Sequence, residues 1–139
     1  MEFINAGHPS PMLIRQDTVE EAFTEGSYPV GLVPDAVYTA ACLKLQPGDT
    51  LVLFSDGVTE AMDPDEQLFG VPRLRDVLVG KTNTDLDEIQ KTVLESVENF
   101  ARGARQADDL TLLLVRYRDP NSADNTDTAI PPPASSEAA

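Results

Sequence analysis

The chain has 139 residues, enough for one domain, and sets 10 Lys and Arg against 24 Asp and Glu for a net charge of −14. Such a surface repels phosphate backbones and argues against nucleic acid as a partner. The single cysteine, Cys42, rules out a disulfide framework, and no apolar run approaches the roughly 18 residues that a membrane span needs.

The N-terminus, Met1 to Asn5, lacks the basic-then-apolar pattern of a signal peptide, so a cytoplasmic protein with no membrane span is expected. Glu2 to Asn5 reads as the end of a strand, followed by a turn at Ala6-Gly7-His8-Pro9. Met12 to Arg15 is a second short strand, with Val19 to Phe23 as its partner. Tyr28-Pro29-Val30-Gly31-Leu32 is a turn-rich crossing. Val37 to Leu45 is a longer strand candidate, which would bury Cys42 in the core and close at the turn Gln46-Pro47-Gly48-Asp49.

Thr50 to Phe54 is apolar at nearly every position, the mark of a strand buried on both faces, and Leu110 to Tyr117 reads the same way. These two are the expected central strands. Between them the spacing predicts a short helix over 72–79, with Pro72 tolerated in the first turn, and a long one over 85–102. Asp85 and Glu88 form a capping-box-like start and Gly103 a stop. Leu86, Ile89, Val93, Val97 and Phe100 recur at three- and four-residue steps and make a stripe for packing on a core. Residues 119–139 contain no Lys, Arg or aromatic residue and include Pro131-Pro132-Pro133, so a disordered acidic tail is expected after a domain at 1–118.

Two places put carboxylates at the end of a buried strand: Ser55-Asp56-Gly57-Val58 and Ala107-Asp108-Asp109-Leu110. If the strands are antiparallel neighbours, Asp56 falls beside Asp108 or Asp109. Carboxylates gathered in this way repel one another unless a cation sits between them, and the hard ions Mg²⁺ and Mn²⁺ favour carboxylate and water ligands. The alternative is ordinary turn and cap chemistry, since Asp-Gly is a common turn. His8, the only histidine, is read first as a residue that fixes its own turn and second as a general acid at the rim of a site.

The order Asn5-Ala6-Gly7-His8-Pro9, Pro29-Val30-Gly31-Leu32, Leu45-Gln46-Pro47-Gly48-Asp49 and Leu53-Phe54-Ser55-Asp56-Gly57-Val58-Thr59-Glu60-Ala61 resembles the SpoIIE/RsbU-type bacterial phosphatases. Phe69-Gly70 with Arg73-Leu74, and Gln106 with Asp108-Asp109-Leu110-Thr111, continue it, so the resemblance covers about residues 2–118. It implies an α+β fold, the four-layer αββα sandwich of the 2C-type phosphatases, present as its C-terminal portion. It further implies a metal-dependent protein serine/threonine phosphatase. In that family a hydroxide held by two Mn²⁺ or Mg²⁺ ions attacks phosphorus directly, and the usual partner is a phosphorylated regulatory protein of the sigma-factor circuits. Asp56 and Asp108 match the family's catalytic, metal-binding carboxylates. Asp109 would support them, and Gly57 would keep the backbone close to the metal.

The match has a gap. The family's early metal-binding Asp residues belong to a Gly-Asp strand motif and a Gly-Asp-Val-x-Gly-His-Gly motif, and neither occurs here. Two divalent ions carry four positive charges, whereas Asp56 and Asp108 supply two negative ones. The chain alone is therefore expected to be a weak enzyme that works with a missing N-terminal segment. The alternative is a catalytically inactive phosphatase-like module that binds a regulatory partner or self-associates as a homodimer.

Overall fold

The computed structural model describes residues 1–23, 26–104 and 108–119. Among these residues six strands and three helices follow one another as β1 (Glu2–Phe3), β2 (Met12–Arg15), β3 (Thr18–Glu21), β4 (Ala41–Cys42), β5 (Thr50–Phe54), α1 (Asp56–Thr59), α2 (Gly70–Leu78), α3 (Leu86–Ala101) and β6 (Leu112–Arg116). The main sheet is antiparallel with strand order β3-β2-β5-β6, and β1 pairs with β4 in a separate two-stranded sheet.

The period of two along each strand sends side chains to opposite faces. Met12 and Ile14 of β2, Val52 and Phe54 of β5, and Leu112 and Leu114 of β6 face the two long helices. There they meet Leu74 and Leu78 of α2 and Ile89, Val93 and Val97 of α3, all 2% exposed or less. The predicted helical stripe is thus the core. Helix α3 starts where expected, with the Asp85 carboxylate accepting the Asp87 N–H. It ends at Arg102, which takes a left-handed φ of 48°. Arg73 ties α2 to the chain before it, donating to the Leu68 and Phe69 carbonyls and lying 4.7 Å over the Phe100 ring.

The opposite face of the sheet carries Leu13, Leu51, Leu53, Leu113 and Val115. Leu13 and Leu51 are buried, but Leu113 and Val115 are 56% and 47% exposed. An apolar cleft of about 320 Å³ opens there, walled by Leu51, Leu53, Leu113 and Val115 on one side and by Phe3, Phe23 and the His8–Pro9 turn on the other.

Three expectations are corrected. The second central strand is an edge strand: β6 pairs only with β5 among the described residues, and its burial alternates because one face lacks cover. The strand expected over 37–45 shrinks to Ala41–Cys42, since among the described residues it pairs only with the two residues of β1, and Val37 is 85% exposed. Cys42 is consequently exposed rather than in the core. Asp56–Thr59, to which the sequence reading assigned no element, is a single helical turn. The fold is α+β, and the described residues supply one helical layer. The acidic tail expected over 119–139 lies, from residue 120 on, outside the described residues. No described helix is long and apolar enough to cross a membrane.

Candidate metal centre

Strand β5 ends at Phe54, opposite Leu112 at the start of β6, and the register continues one step past both strands. The Ser55 N–H donates to the Thr111 carbonyl at 3.0 Å. The Ser55 hydroxyl accepts from the Thr111 N–H at 2.9 Å and donates to the Asp109 carbonyl at 2.8 Å. One side chain thereby fastens together segments more than 50 residues apart in sequence, at the place where both acidic motifs begin.

Gly57 shows how closely they are fastened. A Cβ at that position would stand 2.6 Å from the Asp109 carbonyl oxygen and 3.3 Å from that of Asp108, too near for any side chain. The chain turns here into α1, whose first residue is Asp56, and the Glu60 N–H closes the turn on the Asp56 carbonyl at 2.8 Å. Glu60 lies one helical turn beyond Asp56. It shares a narrow cleft with Gly57, Ala61 and Asp108.

Asp56, Asp108 and Asp109 are all exposed. Asp56 accepts the Gly57 N–H at 3.0 Å and Asp108 accepts the Asp109 N–H at 2.7 Å, short-range bonds that fix the backbone on each side. The sequence-derived pairing of the two motifs is therefore present in the backbone. Glu60 escaped the sequence reading, although its four-residue spacing from Asp56 was a legible signal of a shared helical face. No group of three or more His, Cys, Asp or Glu poised to hold a metal occurs among the described residues.

The donor chemistry still fits a hard divalent cation. Mg²⁺ and similar ions keep several waters and are commonly held by one or two carboxylates together with substrate phosphate. Two exposed carboxylates beside a backbone that admits no Cβ suit that pattern better than they suit a dedicated protein cage.

A very different aspartate stands at the other end of β5. Asp49 is 3% exposed and accepts from Arg15 Nε at 3.0 Å and from Arg15 Nη2 at 2.6 Å, as well as from the Gln46 N–H at 2.7 Å. Burial pushes the Asp49 carboxyl up, but the Arg15 hydrogen bonds, the Gln46 N–H and the Arg15 charge together bring it below the usual carboxylate value. Hydrogen bonding to Asp49 raises Arg15 in turn. This pair is a structural clamp between β2 and the turn that enters β5.

The sequence model of the stage II sporulation protein E (SpoIIE) family matches residues 1–118. Protein IcfG of Synechocystis is 30% identical over 118 residues, which are 85% of this chain and 18% of that protein. The phosphoserine phosphatase RsbP of Bacillus subtilis is 26% identical over 116 residues, 83% of this chain and 27% of that protein. The fold superposes on the phosphatase domain of SpoIIE from Bacillus subtilis, presoaked with Mn, with a TM-score of 0.65 at 23% identity. That match covers 87% of this chain and 51% of the solved one. The chain thus spans about half of that domain and under a third of either relative.

Proposed function

This chain belongs to the SpoIIE family of PP2C-type serine/threonine phosphatase domains, and from that premise we propose that Asp56 and Asp108 anchor divalent metal for the hydrolysis of phosphoserine or phosphothreonine on a protein. PP2C-type phosphatases are typically metal-dependent, and one relative is named as a phosphoserine phosphatase. The observation that carries the reading is the Ser55 fastening together with the close approach at Gly57, which lays the Asp56 turn against the Asp108–Asp109 backbone.

In this reading the carboxylates of Asp56 and Asp108 are the anionic ligands, and Asp109 supports the second of them from the same bend. Gly57 lets the two backbones touch, and Ser55 holds the strand ends in register while substrate binds. Bound Mn²⁺ or Mg²⁺ would supply activation of water and neutralisation of phosphate charge. The substrate would be a phosphorylated regulatory protein of the anti-sigma-factor-antagonist type.

The test is calorimetric titration of Mn²⁺ into the chain and into Asp56→Asn and Asp108→Asn variants, with release of phosphate from a phosphoserine protein followed in parallel. Wild type is expected to bind and each variant to lose affinity by about tenfold or more. Equal binding by all three proteins would remove the two acids from the site.

The exposed apolar face at Leu113 and Val115 favours a second reading, a phosphatase-like module without turnover that self-associates through this surface. Sedimentation velocity separates the two. A dimer dispersed by Leu113→Lys, in a protein without phosphatase activity, would favour the module.

A further inference from the structure

Ala61 belongs to the narrow cleft that holds Gly57, Glu60 and Asp108, and it is also a wall of a second, larger cavity of about 360 Å³. Leu94, Val97 and Ala101 line that cavity from α3, at the three- and four-residue steps that put them on one helical face. Met62 and Leu110 complete it. Met62 comes directly after Ala61, and Leu110 directly after Asp109, so both acidic segments of the metal centre lead into the cavity wall. The two hollows are thus neighbours that share a residue, and one of them contains Asp108.

Their chemistry is opposite. Leu94 and Met62 are large apolar side chains left 37% and 43% exposed at the cavity. Among its described lining residues only Glu98, one turn beyond Leu94, carries a charge. A phosphate here would lose hydration and meet a like charge, so its place is the Asp56–Asp108 end. An apolar side chain has the reverse preference. Ligand pockets begin at about 300 Å³, so this volume admits a leucine- or phenylalanine-sized group. At a rise of about 1.5 Å per helical residue, Ala61 stands on the order of 8 Å along the chain from Asp56. An extended peptide rises about 3.3 Å per residue, which puts a phosphoserine at the acids and a side chain in the cavity about two or three residues apart.

We propose that this cavity is a specificity subsite of the phosphatase site, taking an apolar side chain of the substrate protein close in sequence to the phosphorylated serine or threonine; this rests on the metal reading of Asp56 and Asp108. The acids and their cation receive the phosphate, and the cavity reads what stands beside it. A chain of net charge −14 offers a phosphopeptide no long-range attraction, so discrimination between phosphoproteins has to come from short-range contact of this kind. Burial of one leucine against Leu94, Val97 and Met62 is worth about tenfold or more in affinity over glycine.

The test uses the full chain with Mg²⁺ and short peptides carrying the non-hydrolysable phosphonate analogue of phosphoserine. Leucine or glycine stands at the second or third residue on either side of it. Leucine at one of these positions should tighten binding, read by fluorescence anisotropy, about tenfold or more. Leu94→Gln, at an exposed helical position, should abolish that preference and leave affinity for the glycine peptide and the melting temperature unchanged. Ala101→Leu, which fills the cavity from α3, should abolish it too. The three methionine methyl groups give a second readout by NMR, since Met62 lines this cavity, Met1 the apolar cleft on the other face of the sheet, and Met12 the core. The leucine peptide should shift Met62 and leave Met1 and Met12 in place. No preference for leucine at any position, a preference that survives both variants, or a shift of Met1 in place of Met62 would overturn the proposal and leave the metal reading standing. Calorimetry that finds no Mn²⁺ binding by wild type would remove the metal reading, and the subsite with it.

Discussion

Asp49 precedes β5 and Asp56 follows it, so the same residue type stands at both ends of one buried strand under opposite conditions. Asp49 is almost fully out of water and held by both hydrogen-bonding nitrogens of Arg15. Asp56 is exposed, and its side-chain bond among the described residues is to the amide of the next residue. A carboxylate that is buried has to be paired, because the cost of desolvation leaves no other stable arrangement. One that stays hydrated keeps its charge available for a ligand. The first end of β5 thus contributes to folding, and the second is the end at which metal binding is proposed.

Substitutions can break or sharpen this division, and the largest effect on stability is expected at the clamp. Asp49→Ala should cost about 2–3 kcal/mol in urea unfolding, since it strands Arg15 and the Gln46 amide, while Mn²⁺ affinity stays at the wild-type value. A matching fall in Mn²⁺ affinity would mean that the two ends are not independent. Gly57→Ala comes next, at about 1–3 kcal/mol, because the new methyl must displace the Asp109 carbonyl. Unlike the clamp variant it should also abolish Mn²⁺ binding by parting the two acidic segments, and retention of both properties would show that the backbones separate easily.

A pH series gives the next smaller effect. Asp49 has a folded-state pKa below its ordinary 3.8, so its contribution is fully present above that value and is lost as pH falls through the folded one. The melting temperature of wild type should therefore drop more steeply below about pH 4 than that of Asp49→Asn. Parallel curves would show that the clamp contributes nothing through its charge. The smallest change in stability is expected for Asp56→Asn, within about 0.5 kcal/mol of wild type, because the residue is exposed and Asn keeps an oxygen to accept the Gly57 N–H. A large loss there would make Asp56 a structural residue after all.

Much of this was legible before any coordinates. The nearly continuous apolar run Thr50–Phe54 announced a buried strand, and the three- and four-residue steps of Ile89, Val93 and Val97 announced the helix that covers one face of it. The two acidic motifs were visible because each interrupts or precedes such a run. Other features carried no local mark. Leu110–Tyr117 looks as apolar as β5, yet β6 is an edge strand whose Leu113 and Val115 face a cleft. Cys42 sits in an apolar stretch and is nevertheless exposed, because β4 pairs with only two residues among those described. Among the acids, nothing in the Gly48-Asp49 dipeptide distinguishes a clamp from a turn until Arg15, 34 residues away, is in place.

The sequence by itself determined the order of strands and helices, the face of α3 that packs inward, the candidate acids at Asp56 and Asp108, and membership of a phosphatase family. Periodicity and turn chemistry act over a few residues, and those properties need no more. The tertiary structure decided which aspartate is clamped and which is open, and that Ser55 joins Asp109 and Thr111. Those outcomes depend on strand register between segments tens of residues apart, and a local pattern that specifies which residues are buried does not specify which distant strand they will be buried against.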